Sequence, residues 1–319
     1  MADYKGIQGY SVQTLSSDPG TLADVVGQLW YNSDSGKFKY CAAAAAAWAA
    51  GTALNTARTA LGGAGTLTAG LAYGGANTEA GTEKYDGTTW TEVGDMTSGR
   101  NSFASAGTQT AAIAAAGRIA PNNVAIAETW NGSSWSEVAD LNQARTSIEG
   151  AGTTTAAIAF GGFTTTPVAL NESWNGTSWT EVANLNTARK MSASCGTETA
   201  ALCMTGGQDP PTLANVEQWD GTSWTEITDV NTARDNPGGA GIITAALVFG
   251  GSIPPNTGVT EDWNGSAWTE VGDLANARGS GGDFGTSTLA VFAGGSSPTV
   301  ALVEEYNGAP IEAKTVTTS

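Results

Sequence analysis

The chain contains no histidine, which removes the commonest general base and metal ligand and every catalytic arrangement that needs an imidazole. Basic side chains are scarce. Thirteen stand against 30 acidic ones, for a net charge of -17, so there is no basic stripe for a phosphate backbone and anionic membranes would be repelled. Neither nucleic acid nor membrane insertion is expected. The three cysteines, Cys41, Cys195 and Cys203, have neither the number nor the spacing of a disulfide framework or zinc site and read as small buried residues. No stretch approaches 18 consecutive apolar residues other than Ala and Gly, and "MADYKGIQGYSVQ" lacks the charged and apolar regions of a signal peptide. A soluble protein made in a cytoplasm is expected. No phosphate loop, metal spacing or nucleophile constellation appears, so no enzyme, cofactor or metal is expected either.

What the chain has is period. Hexamers ending in arginine, from "ALNTAR" to "DLANAR", place Arg58, Arg100, Arg145, Arg189, Arg234 and Arg278 at separations of 42, 45, 44, 45 and 44. Six of the seven arginines occupy this slot. Ten residues before each stands a tryptophan: Trp48, Trp90, Trp135, Trp179, Trp224 and Trp268. A second aromatic, Tyr85, Trp130, Trp174, Trp219 or Trp263, is followed by Asn-Gly or Asp-Gly, which predicts a tight hairpin with a primed turn. Stretches such as "AGTTTAAIAFGG" supply a further hairpin ending in a glycine pair. About four strands in about 44 residues is the signature of a propeller blade.

The alanine run Ala42 to Ala47 favours helix on propensity alone. Trp48 is nevertheless in register with the repeat tryptophans, and the last unit, 279–308, lacks a final tryptophan strand. The expectation is that the strand around Trp48 completes the C-terminal blade and closes the ring.

Two residues before the first aromatic come Glu83, Glu128, Glu172, Glu217, Glu261 and Glu304, on the same strand face as that aromatic. Six Glu matched by six Arg favour ion pairs that tie strands together over a carboxylate ring for a metal. The repeated tryptophans read as packing between blades in preference to a sugar-stacking platform. The sequons at Asn131, Asn175 and Asn264 fall in the turn slot that Asp86 and Asp220 fill elsewhere, so the turn explains them.

Gly-Gly, Glu-x-aromatic, Trp and Arg in this order resemble the kelch repeat across 43–308, with Trp for Tyr in four copies and Ala116-Gly117 for one glycine pair. The resemblance implies an all-β, six-bladed kelch-like β-propeller of four-stranded antiparallel blades. A copper site like that of galactose oxidase uses histidines, and a sialidase-like site needs an arginine cluster with a tyrosine nucleophile; neither pattern is present. The loops after the glycine pairs and the residues just after each arginine vary most among the copies, and both emerge on one face of a blade, the usual layout of a binding surface. Candidate binding residues are Arg118, Asn122, Asn123, Thr164, Thr165, Asp209 and Asn256 on the loops, with Lys190 and Asp235 after an arginine.

Residues 1–42 are different in kind. "GQLWYNSDSGKFKY" resembles a short G-x-x-W-Y-N-x-x-x-G-K hairpin of bacteriophage tail-fibre and appendage proteins, and "MADYKGIQGY" with repeats ending in "LNTAR" is similar to structural proteins of marine cyanophages. These resemblances imply an attachment segment at 1–42 that binds other virion proteins, a propeller at 43–308 and a tail at 309–319. The function implied is a non-enzymatic virion component: a tail fibre, tail-associated adhesin or appendage in a homo-oligomeric or larger assembly, touching a host surface glycan or protein. The alternatives are a cytoplasmic kelch-type interaction scaffold and a capsid decoration protein without a receptor role.

Overall fold

A computed structural model describes residues 12–20, 27–43, 45–76, 80–296, 298–308 and 311–316. Ala44 and the start "MADYKGIQGY" lie outside them. No α-helix occurs among the described residues, which form eight sheets, seven of them four-stranded. The chain divides into two compact units, residues 1–46 with 308–319 and residues 47–307.

The smaller unit holds one sheet, in the order Gln13–Leu15, Leu29–Asn32, Lys37–Ala43, Ile311–Thr315, with the first pair parallel and the others antiparallel. The quoted hairpin is there: Tyr31 faces Phe38, and Asn32 Oδ1 accepts from the Ser35 N–H at 2.8 Å to shape the turn. Trp30, Asn32 and Cys41 alternate onto a buried face. Asp18 collects that face's donors, Lys39 Nζ at 2.6 Å, Asn32 Nδ2 at 2.8 Å and Trp30 Nε1 at 3.3 Å, and the hydrogen bond from Lys39 lowers its carboxyl below the usual value. The C-terminal residues 311–315, expected as a separate tail, are a strand of this sheet.

In the larger unit each of six sheets is antiparallel with its strands in chain order, except that the last takes its fourth strand from Ala47–Ala50, where Trp48 faces Tyr306. Tertiary pairing thus overrides helical propensity at both ends of the alanine run: Ala42 and Ala43 end one strand and Ala47 begins another. Second strands such as Ala157–Phe160 are buried along their whole length and read as unbroken apolar runs. First strands are glycine-rich. Gly107 has φ +115°, and a Cβ there would stand 2.2 Å from the Ala111 carbonyl oxygen; Gly65, Gly152, Gly196, Gly241 and Gly285 hold the same slot.

The Asn-Gly and Asp-Gly turns are longer than the two-residue primed turn expected. Trp130 pairs with Trp135 across four residues, only Gly132 has positive φ, and Asn131 Oδ1 accepts from the N–H groups of Ser133 and Ser134 at 3.0 and 2.9 Å. The side chain does locally what a second left-handed residue would otherwise do.

Cores lie between successive sheets. Ala104 and Ile113 pack with Ala157, Ala159, Trp174 and Trp179, while Leu61, Ala72 and Trp90 pack with Phe284, Val291 and Ala293. All ten repeat tryptophans are buried, leaving no stacking platform, and those at Trp130, Trp174, Trp219 and Trp263 donate to carbonyls at 2.8–2.9 Å. The three cysteines are buried, and burial pushes the thiols of Cys195 and Cys203 up to about 12 and 11.

Each arginine lies in the connection between two sheets and pairs with the glutamate on the third strand of the following sheet. The pairs are Arg58–Glu83, Arg100–Glu128, Arg145–Glu172, Arg189–Glu217, Arg234–Glu261 and Arg278–Glu304, all buried. Arg145 shows the wiring. Its Nη1 meets Glu172 Oε1 at 2.5 Å, while Nε and Nη2 donate to the Gly161 and Ala159 carbonyls at 3.1 Å. Glu172 Oε2 accepts from both the N–H and the side-chain amide of Asn142 at 2.7 Å. The motif "LNQAR" is therefore an anchor: Leu141 fills the core, Asn142 and Arg145 saturate one carboxylate. Burial pulls the Arg145 guanidinium below its ordinary pKa, and Glu172 opposes the fall.

Replacing Arg145 by Met is expected to destabilise the larger unit by about 3–5 kcal/mol, because the Glu172 charge is left buried without its partner. The double variant Arg145→Met/Glu172→Leu should lose less than the sum of the two single changes. Urea unfolding followed by tryptophan fluorescence measures both; additive losses would contradict the pairing.

Candidate functional site

The two variable segments meet. Residues just after the arginines bridge to residues just after the glycine pairs: Asn101 to Arg118, Thr146 to Phe163, Lys190 to Gly207, Asp235 to Ser252 and Gly279 to Ser296. Arg118 and Asn122 are exposed on the small hairpin Arg118–Ile119 and Asn122–Asn123. Asn123 Nδ2 crosses to the next loop, donating to the carbonyls of Phe163 and Thr164 at 3.0 and 3.1 Å, and Asn256 Nδ2 does the same to Ser296 at 3.0 Å. Both asparagines thus brace neighbouring loops. Thr165 is exposed and Thr164 half-buried.

The most connected part of this face gathers around Lys190. Its ammonium lies 2.5 Å from Asp209 Oδ2 and 4.5 Å from the centre of the Phe163 ring. Asp235 is half-buried nearby, and burial raises its pKa while Lys190 opposes the rise. Arg118 has no ion pair among the described residues. The face offers mixed charge, amides, hydroxyls and one aromatic ring, a set suited to polar recognition.

One residue further along, each repeat places a non-glycine residue in the left-handed region: Ala60, Ser102, Ser147, Met191, Asn236 and Ser280, with φ between 52° and 56°. The strain is held by hydrogen bonds that run head to tail. Ser102 N–H donates to Ala60, Ser147 to Ser102, Met191 to Ser147, Asn236 to Met191, Ser280 to Asn236 and Ala60 to Ser280, at 2.7–3.1 Å.

Beneath these six residues two small cavities, of about 70 and 140 Å³, share Ser105, Glu149 and Asp283. Their deeper lining comes from the glycine-rich first strands, including Gly63, Gly107, Gly196 and Gly241. Two carboxylates here escaped the sequence reading. Burial pushes Asp283 up to about 7, although the Gly239 N–H donates to it at 2.8 Å. Burial and then the charge of Asp283 push Glu149 well above its ordinary value, opposed by the Ser194 hydroxyl at 3.3 Å. Their signal in the sequence is that "EGAG" and "GDFG" carry an acid where "GGAGT", "ASAGT", "ASCGT" and "GGAGI" carry Gly, Ala or Ser. These groups hold protons near neutrality. No cluster of three or more metal-ligating side chains occurs among the described residues.

No family model and no curated protein matches this chain. Among solved structures, the chain of the "Structure of YjhT" is similar to it with a TM-score of 0.69 at 11% identity, over 84% of this chain and 99% of that one. At that identity the likeness shows the fold alone, a β-propeller.

A proton held on Asp283 ties stability to pH. The carboxyl titrates near 3.9 in the unfolded chain and about 7 in the folded one, so between these values the folded state binds more protons. Its contribution is fully present below pH 4 and is lost as pH rises to about 7. Asp283→Asn should flatten this fall and be more stable than the parent at pH 8, by at most about 4 kcal/mol. Urea unfolding of both proteins across pH 4–8 makes the comparison; parallel curves would remove the effect from Asp283.

Proposed function

We propose that the chain is a non-enzymatic bacteriophage virion protein, a tail fibre, tail-associated adhesin or appendage, that presents a propeller to the host surface. The propeller of this reading is kelch-like and six-bladed, its ring closed by the strand around Trp48. Three observations support that closure: the pairing of Trp48 with Tyr306, the shared core of Leu61 and Trp90 with Phe284 and Val291, and the return of the hydrogen-bond series from Ala60 to Ser280.

The observation that carries the functional reading is a division of labour. The repeated polar side chains are buried in Arg-Glu-Asn anchors, whereas variation gathers where loops bearing Arg118, Thr165 and Asp209 are exposed. A uniform scaffold with one varied polar face is suited to recognition. The small sheet, with its G-x-x-W-Y-N hairpin, supplies the link to other virion proteins through residues 1–42, and the host ligand is a surface glycan or protein.

Gold-labelled antibodies against residues 43–319, applied to intact particles under the electron microscope, test the placement. Label on a tail or capsid is expected. Label confined to the lysate would overturn the virion reading and favour the cytoplasmic scaffold. On the recognition face, Arg118→Glu with Asp209→Lys should lower binding of the purified chain to host cells at least tenfold while leaving its urea midpoint unchanged.

A further inference from the structure

Alternation in the small sheet leaves its second face bare. Trp30, Asn32 and Cys41 turn to the buried side, so Leu29, Tyr31, Phe38 and Tyr40 occupy the other, and Val316, whose N–H donates to the Phe38 carbonyl at 2.9 Å, lies opposite Phe38. Phe38 is 49% exposed, Val316 42%, Leu29 38% and Tyr40 38%. The rings of Tyr31 and Phe38 already pack together at 5.2 Å. The exposed part of these side chains is on the order of 300 Å² per copy.

We propose that this face is a self-association surface and that its occupant is the same face of a second copy of the chain. Two features select a second copy. First, residues 1–46 and 308–319 carry four lysines against five acidic side chains, so nearly all of the net charge of -17 belongs to residues 47–307. Copies repel through their propellers, and the small sheet is where they approach without that cost. Second, the face has one cation and one anion at opposite ends. Lys314 pairs with Tyr40 at one end, and Asp34 lies in the turn beyond Phe38 at the other. A two-fold axis across the strands brings Lys314 of each copy towards Asp34 of the other, with the aromatic residues between them, the self-complementary arrangement that an isologous contact requires.

This surface stands independently of the virion reading. A contact of this size is below the roughly 800 Å² per partner of stable complexes, so the pairing is weak, with a dissociation constant of about 10 µM to 1 mM. Sedimentation velocity of the full chain over that concentration range should show reversible dimers. Phe38→Ser/Tyr40→Ser should abolish them with an unchanged circular dichroism spectrum. Lys314→Glu should weaken dimerisation at least threefold, and Lys314→Glu/Asp34→Lys should restore it. A parent chain that stays monomeric at 1 mM, an aromatic variant that dimerises like the parent, or a charge swap that fails to rescue would each overturn the proposal.

Discussion

The buried carboxylate of the Arg-Glu-Asn anchor is the constraint on which the rest of the larger unit depends. A charge taken out of water costs several kcal/mol unless its lone pairs are filled. In each repeat the glutamate is filled by a guanidinium and by donors from the segment that leads to that arginine, as Glu217 is by Arg189, the Asn186 N–H and the Asn186 amide. The guanidinium in turn closes carbonyls left open beside the glycine pair. One ion pair therefore fixes three things: where a connection ends, where the next sheet begins and how the glycine turn is held. With the anchors in place, the loops beyond them can change sequence without disturbing the sheets.

Much of this was legible because the repeats act as internal controls. Arg and Glu in equal number at fixed offsets announce a pair, and the tryptophan ten residues before each arginine identifies Ala47–Ala50 as a strand despite its alanines. What escaped the reading did so for physical reasons. The strand Ile311–Thr315 has no repeat to match, since it pairs outside the propeller. The turns after Trp130 and its equivalents were expected to be too short, because Asn131 completes them with its side chain and its own φ stays negative. The left-handed residues Ala60, Ser102 and Met191 carry no glycine to mark them; hydrogen bonds between repeats, invisible to a local reading, hold them there. Glu149 and Asp283 were hidden by the comparison of repeats itself, which draws attention to what recurs.

Those two acids and the loop cluster around Lys190 show two ways in which near-identical units acquire individuality. On the loops, change is cheap, since the backbone is exposed and side chains such as Asp209 reach solvent. In the glycine-rich strands, change is costly, since a carboxyl added among Gly63, Gly150 and Gly239 loses hydration and responds by keeping its proton. The two kinds of variation respond differently to their surroundings: the loops to what they touch, the interior acids to pH.

The last sheet joins Ala47–Ala50 to Val303–Asn307, residues some 250 positions apart. On a ribosome, the early segment leaves the exit tunnel long before its partner exists, while the intervening sheets can form from neighbouring sequence as they appear. Until translation is nearly finished, Trp48 has no seat and the edge of Val303–Asn307 has not been made. The same separation means that a nascent chain stalled before residue 303 retains most of its sheets but carries an unpaired strand at its beginning, a template for joining the unfinished ends of other chains.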